Sequence, residues 1–212
     1  MDAENRGTLF VISAPSGTGK STLARRLTES VPGLVFSVSF TTRPRRAGEQ
    51  NGRDYEFVDD ARFDAMVAAG GFLEWAQVYD HKYGTGRSAT EAVLASGTSL
   101  LLDIDVQGAR QVKASSQDAV SVFILPPDYA TLKGRLTRRG SEDPAALSLR
   151  LGAARREAME YDRFDYVVVN ADLEDAASEL TSIVRAESAR TARRRNRVNK
   201  ILSTFPDPGS SA

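Results

Sequence analysis

Cysteine is absent from the 212 residues, which removes thiolate nucleophiles, cysteine-ligated zinc, iron–sulfur clusters and disulfide staples from consideration. Net charge is absent too, since 28 Lys and Arg balance 28 Asp and Glu. Bulk electrostatic capture of nucleic acid therefore lacks a driving force, and no nucleic-acid partner is expected. Long hydrophobic runs are missing as well. Apolar stretches such as residues 9–12 and 99–102 fall far short of the roughly 20 residues that a membrane span requires. The opening residues carry both charge signs and no long apolar region ahead of a small-residue cleavage site, which predicts a cytoplasmic protein. Histidine occurs once, as His81, in a polar stretch that reads as an exposed linker. No internal repeat is visible. What remains is 41% hydrophobic and 26% charged, an ordinary globular composition, long enough for one domain with insertions or two small ones.

Short apolar, β-branched runs bounded by turn residues mark buried strands at residues 9–13, 100–104, 120–125 and 166–169. Between them lie helical spacings, such as Leu23, Leu27 and Val31 or Leu132 and Leu136. The alternation predicts an α/β fold with a central, mainly parallel sheet flanked by helices. Residues 34–40 read as a weaker second strand of that sheet. Residues 41–96 break the rhythm with charged turns, an Asn51–Gly52 hairpin signal and aromatic segments at 55–58 and 72–79, so they read as an inserted subdomain. The core would then comprise 1–40 and 97–190. Residues 137–148 are polar, rich in arginine and broken by Gly140 and Pro144, which predicts a mobile lid at about 137–150. A final helix is expected from Leu173 to about Arg195, ending on the solvated Arg193–Arg194–Arg195 run, with a disordered tail from Ser203.

The sharpest signal is Ala14–Pro15–Ser16–Gly17–Thr18–Gly19–Lys20–Ser21–Thr22, placed between a strand and a helix. A triphosphate needs many donors converging in a small volume. A glycine-rich turn provides them by aiming successive backbone N–H groups at the positive end of a helix. Gly17 and Gly19 permit the dihedrals. Lys20 then reaches the β- and γ-phosphates, and the Ser21 hydroxyl is placed to ligate Mg²⁺. Asp103 and Asp105 sit at the carboxyl end of another strand. Asp103 is placed to hold a Mg²⁺-bound water, the plainer alternative being that both carboxylates cap a helix starting near Val106.

The acceptor of the phosphoryl group has to be sought in the insertion. Arg43 and Arg46 follow a strand, and planar guanidinium groups suit a phosphate monoester. Tyr55 and Tyr83 add phenolic donors. Taken singly, each arginine reads better as a solvated charge; Arg43 and Arg46 together with both tyrosines read as a phosphate site. Glu74 is a carboxylate within the apolar Gly71–Phe72–Leu73–Glu74–Trp75 segment. Buried there it needs donors, and guanine presents two on one edge where adenine has an unprotonated N1. An exposed edge-strand carboxylate is the plainer alternative.

These segments, together with Tyr83–Gly84–Thr85, the run from Asp103 to Gly108 and Tyr166–Val167–Val168–Val169–Asn170, closely resemble the guanylate kinases of bacterial type across roughly residues 7–187. The resemblance implies a P-loop kinase core, a GMP-binding subdomain and a lid, with ATP and GMP as partners and Mg²⁺ as cofactor. It implies that Ser39, Glu74, Thr85 and Asp105 line the guanine pocket, and that Arg43, Arg46, Tyr55 and Tyr83 hold the GMP phosphate. Residues Ser16, Gly17, Thr18, Gly19, Lys20, Ser21 and Thr22 would hold ATP, with Asn170 near its adenosine. Lys20 and the lid residues Arg135, Arg139 and Arg150 would neutralise the transferring group, and Arg138 is an adjacent decoy. A non-catalytic phosphopeptide-binding relative and a sugar-phosphate kinase are the competing readings. Lys20 and Ser21 argue against the first, and Glu74 with Ser39 argues against the second.

Overall fold

The structure, a computed structural model, describes residues 6–78, 80–138 and 144–206, with 144 and 145 described by backbone alone. Strand β1 (Leu9–Ser13) is buried along its whole length, as a central strand covered on both faces must be. Helix α1 (Lys20–Ser30) turns Leu23, Ala24 and Leu27 inward, and β2 (Leu34–Phe36) follows. The chain then builds β3 (Phe40–Thr41), β4 (Glu56–Phe57), α2 (Asp60–Ala68), β5 (Phe72–Val78), β6 (His81–Gly86) and α3 (Arg87–Ala95). It resumes the alternation with β7 (Ser99–Asp103), α4 (Val106–Ser115), β8 (Val120–Leu125), α5 (Tyr129–Arg138) and α6 (Pro144–Ala158). The last elements are β9 (Tyr166–Val169), α7 (Leu173–Ser188) and α8 (Thr191–Leu202).

Five strands form a parallel sheet in the order β2-β7-β1-β8-β9. Alternate residues of β1 enter opposite layers. Phe10 and Ile12 pack with Leu23, Leu27, Leu180 and Val184 of α1 and α7, while Leu9 and Val11 pack with Leu94, Ala109 and Val112 of α3 and α4. The period of two along a strand thus assigns one helical layer to each face. The chain leaves β1 toward one edge and β7 toward the other, so the carboxyl ends of these neighbours open a crevice where open α/β sheets bind ligands.

The second sheet is mixed, in the order β4-β3-β6-β5, with β5 at an edge. Its core is aromatic: Phe63 of α2 stacks on Phe72 at 4.5 Å and Phe40 meets Phe72 edge-on at 5.7 Å. Each such ring contributes on the order of 1.5–3 kcal/mol by leaving water.

Several local expectations are corrected. Residues 34–40 are not one strand of the parallel sheet: β2 joins it, whereas Phe40 opens β3 of the other sheet after the irregular residues 37–39. Asn51–Gly52 is a turn with Gly52 at φ 77, yet no hairpin surrounds it, since β4 pairs in parallel with β3. His81 is the first residue of β6, half-buried and opposite Val78, so it is no exposed linker. The proposed flap is partly helical, with Thr137 and Arg138 ending α5 and Pro144 opening α6, the first helical position where proline is favoured. The C-terminal helix is two helices. Backbone at Arg190 leaves the helical region (φ −54, ψ 137), and the Arg193–Arg194–Arg195 run lies inside α8 rather than ending a helix. Beside the break, Glu187, buried to 3% exposure, pairs with Arg190 at 2.8 Å and accepts from the Tyr166 hydroxyl. The tail expected to be disordered continues as a turn through 203–206, and 207–212 lie outside the described residues.

Candidate active site

The loop between β1 and α1 takes its shape from two glycines. Gly17 and Gly19 both have φ of 90, a region closed to most side chains. A β-carbon on Gly17 would lie 2.8 Å from Leu136 of α5, and one on Gly19 2.7 Å from the Asn170 amide. Gly19 caps α1 with no side-chain acceptor, and no acidic residue stands in the first turn. The opening N–H groups of α1 are thereby left for an anion. Ser21 is exposed at this end and Thr22 is half-buried.

Behind the loop, the Thr18 carbonyl accepts from the Asn170 amide at 2.6 Å and from Arg135 at 3.3 Å, and Arg135 also donates to the Asn170 carbonyl at 3.0 Å. Arg135 and Asn170 therefore buttress the cradle from β9 and α5. Arg150 of α6 donates to the Ser16 hydroxyl at 3.3 Å. Arg139 lies outside the described residues, and Arg138 is exposed at the end of α5. Lys20 folds toward β7, donating to the Ile104 carbonyl at 2.6 Å and pairing with Asp103 at 2.7 Å. Glu157, on α6, was not foreseen: it accepts from the Ser16 N–H, while burial, and secondarily Asp105, hold its carboxyl above the ordinary range. Nothing in the local sequence distinguishes it from its charged neighbours.

Across the crevice, a cavity of about 310 Å³ is lined by Ser39, Tyr55, Glu74, Tyr83, Asp103 and Asp105, among others. Six residues from five separated segments thus converge. Glu74 is 5% exposed, so it is no surface carboxylate. The Thr85 hydroxyl, directly opposite in the β5–β6 register, donates to its Oε1 at 2.6 Å. Burial pushes the Glu74 carboxyl above its ordinary value, the Thr85 bond opposes this, and Asp105 adds to it. Asp105 caps α4 by accepting from the Gly108 N–H at 2.7 Å while also facing the cavity, so the capping and functional readings coincide there. Asp103 does not cap; it holds Lys20.

Tyr55 and Tyr83 meet edge-on at 6.1 Å, and burial, with Tyr83 nearby, holds the Tyr55 phenol above its usual range. Arg43 is 9% exposed, lies 5.4 Å from the Tyr55 ring centroid and is bidentate on Glu49 at 2.7 and 3.1 Å. Arg46, an exposed residue, sends its backbone N–H to the same carboxylate at 2.8 Å. Glu49 is the other residue that sequence reasoning missed. It occupies Arg43 with the planar, two-oxygen geometry that a phosphate would adopt. A larger hollow of about 900 Å³ lies between α5 and α6, and its lining of Tyr129, Lys133, Leu147, Ser148, Leu151, Gly152 and Arg155 includes none of the expected site residues. Among the described residues, no group of three or more acidic or histidine side chains forms a metal cage, and no helix is long and apolar enough to cross a membrane.

The geometry agrees with what the chain is similar to. Residues 6–187 match the family model described as guanylate kinase. A guanylate kinase of Rhodopseudomonas palustris (strain BisB5) is 49% identical over 191 residues, covering 90% of this chain and 87% of that protein. One from Bradyrhizobium diazoefficiens is 47% identical over 192 residues, covering 90% and 88%. The crystal structure of guanylate kinase from Anaplasma phagocytophilum superposes with a TM-score of 0.74 at 33% identity, covering 96% of this chain and 99% of that one. A phosphate-type loop, a carboxylate buried across the crevice and similarity over nine-tenths of the sequence lead to one conclusion: the chain belongs to the guanylate kinase family.

Proposed function

We propose that the chain transfers the γ-phosphoryl group of ATP to GMP, giving ADP and GDP, in the cytoplasm, with dGMP as a further acceptor. The reading rests on one observation above the rest: Glu74 is buried at the wall of a cavity with one oxygen satisfied by Thr85. A carboxylate held there pairs with the N1–H and exocyclic amine of guanine, and adenine offers no such pair of donors. Thr85, Ser39 and Asp105 complete the base pocket. Arg43, Arg46, Tyr55 and Tyr83 grip the GMP phosphate, with Glu49 yielding Arg43 to the incoming anion. The loop from Ser16 to Thr22 cradles the ATP phosphates, and Asn170 borders the adenosine.

Ser21 and Asp103 are hard oxygen donors, one hydroxyl and one carboxylate, which suits Mg²⁺, an ion that draws most of its ligands from phosphates and water. Bound there, Asp103 acting through water, Mg²⁺ would neutralise charge on the β- and γ-oxygens. Lys20 releases Asp103 and turns to the same phosphates. Arg150 descends with the lid, while Arg135 holds the cradle in shape and borders the transferring group; Arg139, outside the described residues, keeps the charge-neutralising role that the resemblance implies. A GMP phosphate oxygen is already nucleophilic near neutral pH, so no side chain need act as base. Alignment, charge neutralisation and exclusion of water carry the rate.

The test compares GMP, dGMP, AMP and a sugar phosphate as acceptors in a coupled ADP assay. Expected is turnover with GMP and dGMP, and a preference over AMP on the order of 10⁴-fold. Equal use of AMP, or nucleotide binding without turnover, overturns the reading.

A further inference from the structure

Helix α4 belongs to the parallel-sheet core, whereas Glu74 sits on β5 of the other sheet, so something must set the position of the carboxylate relative to the rest of the crevice. Two residues of α4, one turn apart, touch that problem. Gly108 has no side chain where Glu74 arrives. A β-carbon there would lie 2.6 Å from Glu74 Oε2, 3.3 Å from its Cδ and 3.4 Å from Asp105 Oδ1. Gly108 is buried within a regular helix and is not among the glycines with positive φ, so backbone conformation does not require glycine. The space does.

Gln111 meets the residue next to Glu74. Its side-chain oxygen accepts from the Trp75 N–H at 3.1 Å and its amide donates to the Trp75 carbonyl at 2.7 Å. Strand β5 is an edge strand, paired on one side with β6 only. A carboxamide presenting one acceptor and one donor mimics a neighbouring strand, so Gln111 closes the open edge of β5 at that point.

Resting on the reading of Glu74 as the guanine-selecting carboxylate, we infer that Gly108 and Gln111 are positioning residues for acceptor specificity: Gln111 fixes β5 against α4, and Gly108 leaves the hollow that seats Glu74 Oε2. One of the Glu74 oxygens is then held by Thr85 from its own sheet and the other is placed by the core helix. Asp105, at the N-cap of the same helix, moves with that template. The guanine pocket is thereby built against the ATP-binding core rather than within the insertion alone.

The test uses the full chain with Gly108→Ala, Gln111→Ala, Glu74→Gln and the double variant Glu74→Gln/Gly108→Ala, measuring KM for GMP, KM for ATP, kcat, the GMP-to-AMP preference and thermal unfolding. Alanine is the better helix former, so a merely structural glycine would give Gly108→Ala equal or greater thermal stability with unchanged kinetics. Expected instead is a rise of at least tenfold in KM for GMP and a comparable fall in preference over AMP, with KM for ATP within twofold. Gln111→Ala should raise KM for GMP severalfold, and Gln111→Glu, which sets a carboxylate oxygen against the Trp75 carbonyl, should raise it at least as much. In the Glu74→Gln background, Gly108→Ala should add little, as coupled neighbours do. KM for GMP within twofold of wild type in both Gly108→Ala and Gln111→Ala overturns the inference while leaving Glu74 in place. If Glu74→Gln itself keeps full preference for GMP, the underlying reading fails. Should Gly108→Ala not fold, the Gln111 pair decides.

Discussion

Glu74 combines two opposed demands, since the burial that would sharpen its proposed selectivity for guanine also penalises its charge. Its folded carboxyl is held above the ordinary value of 4.5. The stabilising contribution of that group is therefore fully present below its unfolded value and is lost as pH rises through the raised folded value. Binding guanine needs the ionised form. Melting curves at pH 5 and pH 8 should show Glu74→Gln gaining on wild type as pH increases, while its kcat/KM for GMP drops by about 10²- to 10⁴-fold. A constant difference in melting temperature across that range would contradict the account. Lys20 poses the simpler case. It is paired with Asp103 and Ile104 in the structure, and Lys20→Ala should lower kcat by about 10²- to 10³-fold or more with an unaltered circular dichroism spectrum. Activity near wild type would remove Lys20 from the assigned role.

Among the elements, the loop before α1 shows how local and tertiary constraints add. Gly17→Ala meets both a φ of 90 and the Leu136 side chain at 2.8 Å. It should cost about 1–3 kcal/mol in denaturant unfolding and weaken ATP binding in calorimetry without changing GMP binding. Glu187 is buried beside the break between α7 and α8, and Glu187→Ala should cost about 1–3 kcal/mol by leaving Tyr166 without its acceptor. Its specific activity should stay at the wild-type level, because α7 and α8 meet at the end of the sheet remote from the crevice. That break was not legible in the sequence, because residues 173–202 keep helical spacing almost throughout. Residues 34–41 illustrate the same limit. Their β propensity was readable, whereas the sheet each half would join depends on partners far along the chain. Strands β1, β8 and β9 were readable to the residue because continuous apolar runs admit few alternatives.

At the scale of the whole molecule, two sheets face each other across a crevice, and Arg150 reaches one wall from α6. Closing that crevice is expected to align the donor with the acceptor. Arg150→Ala should accordingly lower kcat by about 10²-fold while moving KM for either nucleotide by no more than a few-fold. Hydrogen exchange along residues 144–158 should slow when ATP and GMP analogues are bound together, and much less with either alone. Unchanged protection with both bound would leave the lid without its proposed motion.

The residue pattern alone carried the alternation of strand and helix, the phosphate-binding loop and the candidacy of Glu74, because each depends on short-range spacing or on a chemical type out of place in its surroundings. Contact in three dimensions decided the remainder: that Asp103 engages Lys20, that Glu49 sits on Arg43, that Glu157 reaches the loop, and that α4 shapes the seat of a carboxylate on another sheet. Such pairings join positions as distant along the chain as Ser16 and Glu157, and no periodicity along a chain encodes which distant groups burial will press together.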